Sequence, residues 1–98
     1  MKYNLKQEDT KLIVNVEGEL DVRTSPEFEQ ALLPALSGVK ELVIDLEGLE
    51  YISSAGLRVL LSAAKVMEDQ GEMVVKNAGE TVMEVFEITG FDDLLNIK

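Results

Sequence analysis

The stretch Glu41-Leu42-Val43-Ile44-Asp45-Leu46 constrains this chain more than any other. Its Leu-Val-Ile centre has no polar break. A strand with aliphatic side chains on successive positions needs cover on both faces or a place inside a parallel sheet. Parallel strands cannot be joined by tight turns, so helices must lie between them. The rest of the chain supplies those helices.

Tyr3–Gln7 alternates weakly and reads as an edge strand, and Leu12–Glu17 is a stronger, β-branched strand. The polar turn between them predicts a hairpin. Gly18 is expected to end the second strand, with 19–23 a loop. Thr24 or Ser25 can cap a helix whose first turn takes Pro26 and Glu27 and whose buried stripe is Phe28, Leu32, Ala35 and Leu36. Pro34 predicts a kink or an early end. After the strand Glu41–Leu46, residues 47–52 read as a connecting loop. Ser53 or Ser54 then caps a helix with Leu57, Leu60, Leu61, Ala64 and Met67 on one face and Gly71 as its stop. Glu72–Lys76 is another strand. A last helix carries Val82, Val85, Phe86 and Thr89 near one side and closes at Gly90, and the apolar tail Phe91, Leu94, Leu95 and Ile97 docks on the body.

The expected class is therefore α/β, in the order β-β-α-β-α-β-α. The sheet is mixed but mostly parallel, the first strand is its antiparallel edge, and the helices pack on the sheet. At 98 residues the chain fits one domain, 1–98. With two Tyr, three Phe and no Trp, the core must be aliphatic.

Composition narrows the chemistry. Nineteen acidic residues against nine basic ones leave a formal charge of −10. Such a surface repels phosphate backbones and anionic headgroups, which makes nucleic acid and membranes poor partners and a basic protein groove a better one, although the same charge serves equally to keep a domain soluble. There is no His and no Cys. That removes the commonest general base and metal ligand, and a Ser-His-Asp triad cannot be built. No cluster has metal-ligand spacing, no Gly-rich phosphate loop is present, and no catalytic residue, metal or cofactor is expected. No leader or membrane-spanning stretch is expected either, and the lack of Cys fits a reducing, cytoplasmic setting.

In parallel sheets, function gathers in the loops beyond the carboxyl ends of the strands. Here these are 18–24, 47–53 and 77–79, so Asp21 and the Ser53-Ser54 pair are expected to be neighbours in space. Ser53-Ser54-Ala55-Gly56 is an unusually small helix start. Gly56 costs up to about 1 kcal/mol of helix propensity, which makes sense if something approaches the backbone closely. A helix N-terminus favours a phosphoryl group, and a serine there can accept one. Among Asp21, Glu47 and Glu50, the added charge of about −1.5 to −2 would repel a docked partner. On residue types alone, however, capping is the commoner use of such a serine pair, and Asp21 alone is most often a turn residue. Arg58, one turn into the helix, can pair with Asp21 or a phosphate.

Glu19-Leu20-Asp21 after Gly18, then Val43-Ile44-Asp45-Leu46, Tyr51-Ile52-Ser53-Ser54-Ala55-Gly56-Leu57 and Gly71-Glu72-Met73-Val74-Val75, resembles the STAS domain of bacterial anti-sigma factor antagonists over about Tyr3 to Leu95. The family pattern is similar to Asp-Ser-Ser/Thr-Gly-Leu, with the first hydroxyl residue phosphorylated. Laid on this chain it puts Ser53 at the Asp, Ser54 at the phosphorylated serine, Ala55 next, and Gly56 and Leu57 in register. Asp21 matches the acidic residue near the phosphorylation site. Ser53 and Ala55 depart from the pattern, and Ser53 adds an alternative acceptor hydroxyl. The resemblance implies a STAS fold and a partner-switching, non-enzymatic role. The unphosphorylated domain binds an anti-sigma factor that is itself an ATP-dependent serine kinase and so releases a sigma factor. Phosphorylation at Ser54 breaks that complex, and a PP2C-type phosphatase restores it. Asp21, Ser53, Ala55, Gly56, Leu57 and Arg58 would then line the partner contact.

Two other readings compete. A non-switching STAS interaction subunit of a transport or stress-signalling complex needs the same fold and no phosphate. A hydrolase with Ser54 as nucleophile would need Gly-x-Ser-x-Gly and a base, and the chain has neither.

Overall fold

The computed structural model describes residues 1–98. Strand β1 (Lys2–Glu8) returns through Asp9-Thr10 into β2 (Lys11–Leu20). Asp9 sits at φ 56°, a left-handed conformation that Asp tolerates in a two-residue hairpin turn. Helix α1 (Ser25–Ala35), strand β3 (Glu41–Ile52), helix α2 (Ser54–Glu68), strand β4 (Glu72–Lys76), helix α3 (Glu80–Thr89) and the single turn α4 (Phe91–Leu94) follow. The sheet runs in chain order β1-β2-β3-β4. Its first pairing is antiparallel and the other two are parallel, as expected. Beyond α4, Val75 bridges Ile97 in parallel, so the apolar tail docks along β4.

Side-chain alternation along the strands explains the layering. Leu12, Val14 and Val16 of β2 share one 22-residue cluster with Leu42, Ile44 and Leu46 of β3 and with Phe28, Leu60 and Phe86 from the three longer helices. The three longer helices therefore bury their apolar faces on the same side of the sheet. Val43 is only 7% exposed yet stands outside that cluster. It faces the other side, flanked in register by Ile13 and Val74. The unbroken run at 42–44 thus reflects a parallel central strand, not helices on both faces. The core is aliphatic apart from Phe28, whose ring meets Tyr3 edge-on at 5.5 Å, and Phe86.

Several local expectations need correction. Gly18 does not end β2, which runs on to Leu20. Residues 47–52 are not a loop but the second half of a 12-residue β3. The register slips between Asn15 and Glu17 and again between Gly18 and Glu19, where β3 carries extra residues against β2. Each bulge resets which face a side chain takes, so Leu46, Leu49 and Ile52 stay buried although they are three apart. Gly18, at φ 90°, lies in β2 at the second of these shifts, in a backbone conformation that other residues rarely adopt.

Helix α1 ends at Ala35, one residue past Pro34, and the buried Leu36 is its C-terminal flank instead of part of it. Helix α2 buries Gly56, Leu57, Val59, Leu60, Ala63 and Met67, so its inner face is turned from the expected stripe, and Leu61 and Ala64 are only half-buried. Gly71 is no left-handed helix stop. It is small because a Cβ there would collide with the Lys40 backbone carbonyl, which accepts a hydrogen bond from the Glu72 N–H at 2.9 Å. No helix is long and apolar enough to cross a membrane.

Candidate functional site

The bulged second half of β3 delivers the site. Leu20 and Ile52 are register partners at the ends of β2 and β3, and the Ser53 N–H donates to the Leu20 carbonyl at 2.9 Å. The next residues on each strand are Asp21 and Ser53-Ser54. The structure therefore brings together the two loops that the sequence placed side by side.

The serine pair divides its work. Ser53 is extended, at φ −98° and ψ 177°, and its Oγ accepts from the Gly56 N–H at 3.5 Å. It is the N-cap of α2, and it satisfies one of the helix's free donors. Ser54 is the first helical residue, exposed, and its hydroxyl has no hydrogen-bond partner in the chain. A hydroxyl at the positive end of a 15-residue helix, open to solvent, is available to an enzyme that brings its own phosphoryl donor.

Asp21 organises the opposite loop. Its Oδ1 accepts from the backbone N–H of Arg23 at 2.9 Å and of Thr24 at 3.1 Å, and the Asp21 N–H donates to Thr24 Oγ1 at 2.9 Å. Thr24 Oγ1 in turn donates to the Glu19 carbonyl at 3.0 Å, and the Ser25 N–H donates to the Asp21 carbonyl at 2.9 Å. This reciprocal pairing three residues apart is a relative of the capping box. The Thr24 amide holds the Asp21 carboxyl below its ordinary value of 3.8, against a desolvation that pushes it up; the Arg23 amide and guanidinium, and the Thr24 hydroxyl, reinforce the lowering. A carboxyl so held is a poor proton acceptor, which suits a scaffold more than a general base.

Four expectations about the site change. Gly56 is not kept small for an incoming group. A Cβ there would lie 2.8 Å from both Leu20 Cγ and Ile52 Cγ1 and 2.9 Å from the Leu20 carbonyl, so its smallness lets α2 dock on the strand ends. Gly56 and Leu57 are buried and present no side chain to a partner, whereas Ala55 is half-buried and Arg58 exposed. Arg58 makes no ion pair, and Asp21 pairs instead with Arg23 at 3.5 Å. Glu47 is removed from the helix start by five residues of strand, roughly 16 Å at strand rise, which leaves Glu19 and Glu50 as the exposed carboxylates nearer the strand ends.

Sequence reasoning missed Thr24 and Arg23, which lock the loop, and Val22 at its tip. The Asp-x-x-Thr spacing was the available signal for the first, and an aliphatic residue inside a polar turn for the last. The surface around Ser54 is built from loop ends. Two clefts of about 380 and 530 Å³ lie elsewhere, at the far end of α2 and beside β4. Such an arrangement can present a hydroxyl and a rigid turn to another protein.

Known proteins share this fold. The family model described as STAS domain matches residues 2–98. The anti-sigma-B factor antagonist of Bacillus subtilis is 32% identical over a 99-residue alignment that covers all of this chain and 91% of that protein. The protein of the same name from Staphylococcus aureus is 34% identical over 87 residues, 87% of this chain and 81% of its own. Among solved structures, an anti-sigma factor antagonist from Mycobacterium paratuberculosis superposes with a TM-score of 0.88 at 27% identity, over 98% of this chain and 83% of that one. The anti-sigma factor antagonist SpoIIAA in its unphosphorylated form matches with a TM-score of 0.85 at 20% identity, over 99% of this chain and 88% of that one, a likeness of fold.

Proposed function

The chain belongs to the STAS domain family, whose anti-sigma factor antagonists are binding proteins and not enzymes, and we propose that it is an anti-sigma factor antagonist switched by phosphorylation of Ser54. The observation that carries this reading is the division of labour at α2: Ser53 caps the helix, and the exposed Ser54 hydroxyl has no structural task. The unphosphorylated domain docks its 21–24 loop and α2 start on an anti-sigma factor, and a sigma factor is released. The anti-sigma factor is itself a serine kinase. The Ser54 oxygen attacks the γ-phosphorus of its ATP, the bond to ADP breaks, and the hydroxyl proton goes to a base of the kinase.

A phosphoserine adds about −1.5 to −2 charges. It stands beside Asp21 and near Glu19 and Glu50, on a chain whose formal charge is already −10. The modified surface is more acidic and bulkier, which ends the docking. A PP2C-type phosphatase removes the group. The cycle runs in the cytoplasm and calls for no cofactor, nucleic acid or membrane contact by this chain.

The test is affinity for the kinase anti-sigma factor, measured by calorimetry on the unmodified chain and on Ser54→Asp. The switch predicts a loss of at least about tenfold, 1.4 kcal/mol, in the variant. Equal affinity would instead favour a non-switching interaction subunit of the same fold.

A further inference from the structure

Val22 stands at the tip of the 21–24 turn and is 71% exposed. Turn positions of this kind favour Asp, Asn, Gly or Ser, which hydrogen-bond their own backbone. Every other residue of the turn is engaged: the Asp21 carboxylate, the Arg23 amide and guanidinium, and the Thr24 amide and hydroxyl. Val22 alone offers nothing to the turn and buries little. A single exposed aliphatic side chain is unremarkable on most surfaces. This one differs in being held on a fully hydrogen-bonded turn, beside the strand ends that carry Ser54. Its one side-chain torsion is stiff, so a partner that buries it loses little conformational freedom.

We infer that Val22 is the apolar anchor by which the kinase of the proposed cycle recognises this chain, seated in an aliphatic pocket whose rim is basic. The rim follows from charge: Glu19 on β2 and Glu50 on β3 are exposed carboxylates close to the paired strand ends, and the neighbouring Arg23 is already paired with Asp21. The inference rests on the Ser54 switch and names what its partner reads. It assigns Val22 to affinity and not to the chemical step.

The experiment follows transfer of phosphate from ATP by the kinase to the full chain carrying Val22→Ser, Val22→Ile or Ile88→Ser. Ile88 is a control, 85% exposed in the last turn of α3. Losing a buried valine side chain is expected to raise KM about tenfold for Val22→Ser, with kcat within about twofold of wild type. Val22→Ile is expected to keep KM within about threefold, and Ile88→Ser to leave it unchanged. Because Val22 is exposed, Val22→Ser should unfold at the wild-type temperature. Phosphorylation of Val22→Ser with wild-type KM overturns the anchor and leaves the switch standing. An equal loss in Ile88→Ser also overturns it, by showing a general effect of surface apolarity. A wild-type chain that takes no phosphate overturns the switch and the anchor together.

Discussion

Helices α1 and α2 begin on similar sequence, Thr24-Ser25 and Ser53-Ser54, and the structure treats the two pairs in opposite ways. At α1, the first hydroxyl turns away from the helix it precedes. Thr24 lies in a helical conformation, makes no side-chain cap, and locks the preceding turn through Asp21 and the Glu19 carbonyl. Ser25 is then 3% exposed, with an Oγ that has no partner. At α2, the first hydroxyl caps the helix and the second faces solvent. The difference comes from what precedes each pair. A hydrogen-bonded turn carries the chain inward before α1. Before α2, a bulged strand end pinned to Leu20 carries it straight out to the surface. Of two hydroxyls at a helix start, one is left free only when the first is spent on the cap and the second stays outside.

The largest expected effect breaks the docking that sets α2 in place. Gly56→Ala pushes a methyl group into Leu20 and Ile52 and should cost a net of about 1–3 kcal/mol in denaturant unfolding, the clash outweighing the gain in helix propensity. If Gly56→Ala proved neutral, the close approach would not be what places Ser53 and Ser54.

Asp21→Ala acts on the other pair by removing the acceptor that orders the turn before α1. The folded state depresses the Asp21 carboxyl below 3.8. Its contribution is therefore fully present above that value and is lost as pH falls through the lower folded value. The gap in melting temperature between wild type and Asp21→Ala should be widest near neutrality and close in acid. A gap that persisted unchanged down to about pH 2 would contradict this assignment.

The smallest effects sharpen the contrast between the pairs. Ser53→Ala removes a long capping bond and should cost about 0.5 kcal/mol. Ser25→Ala removes a buried hydroxyl without a partner, and should be neutral or stabilising by up to about 1 kcal/mol. Thermal unfolding of the two variants side by side checks both signs, and a Ser25→Ala costlier than Ser53→Ala would reverse the comparison.

Much of this was legible in the sequence. The element order, the antiparallel first edge, the docking tail and the meeting of Asp21 with Ser53-Ser54 follow from short-range periodicity and from where loops fall in a parallel sheet. The second half of β3 was not legible, because two bulges erase the alternation by which a strand is recognised. Gly18, Gly56 and Gly71 were misread for a related reason. A glycine in sequence looks like a stop or an opening. In the fold, Gly18 takes a positive φ within β2, and the other two serve contacts with Ile52 one turn back and with Leu20 and Lys40, which are remote along the chain. The inner face of α2 was off by part of a turn, because which of two adjacent apolar residues is buried depends on the sheet beneath. The choice between Ser53 and Ser54 as cap rests on one backbone angle, which no composition encodes.

The central claim, that Ser53 caps while Ser54 receives the phosphate, is tested most directly by locating the group. The wild-type chain and Ser53→Ala are incubated with the kinase anti-sigma factor and MgATP, and the modified residue is identified by fragment mass spectrometry. The account predicts one phosphate on Ser54 in both proteins. Phosphate on Ser53, or none on the wild-type chain, would contradict it.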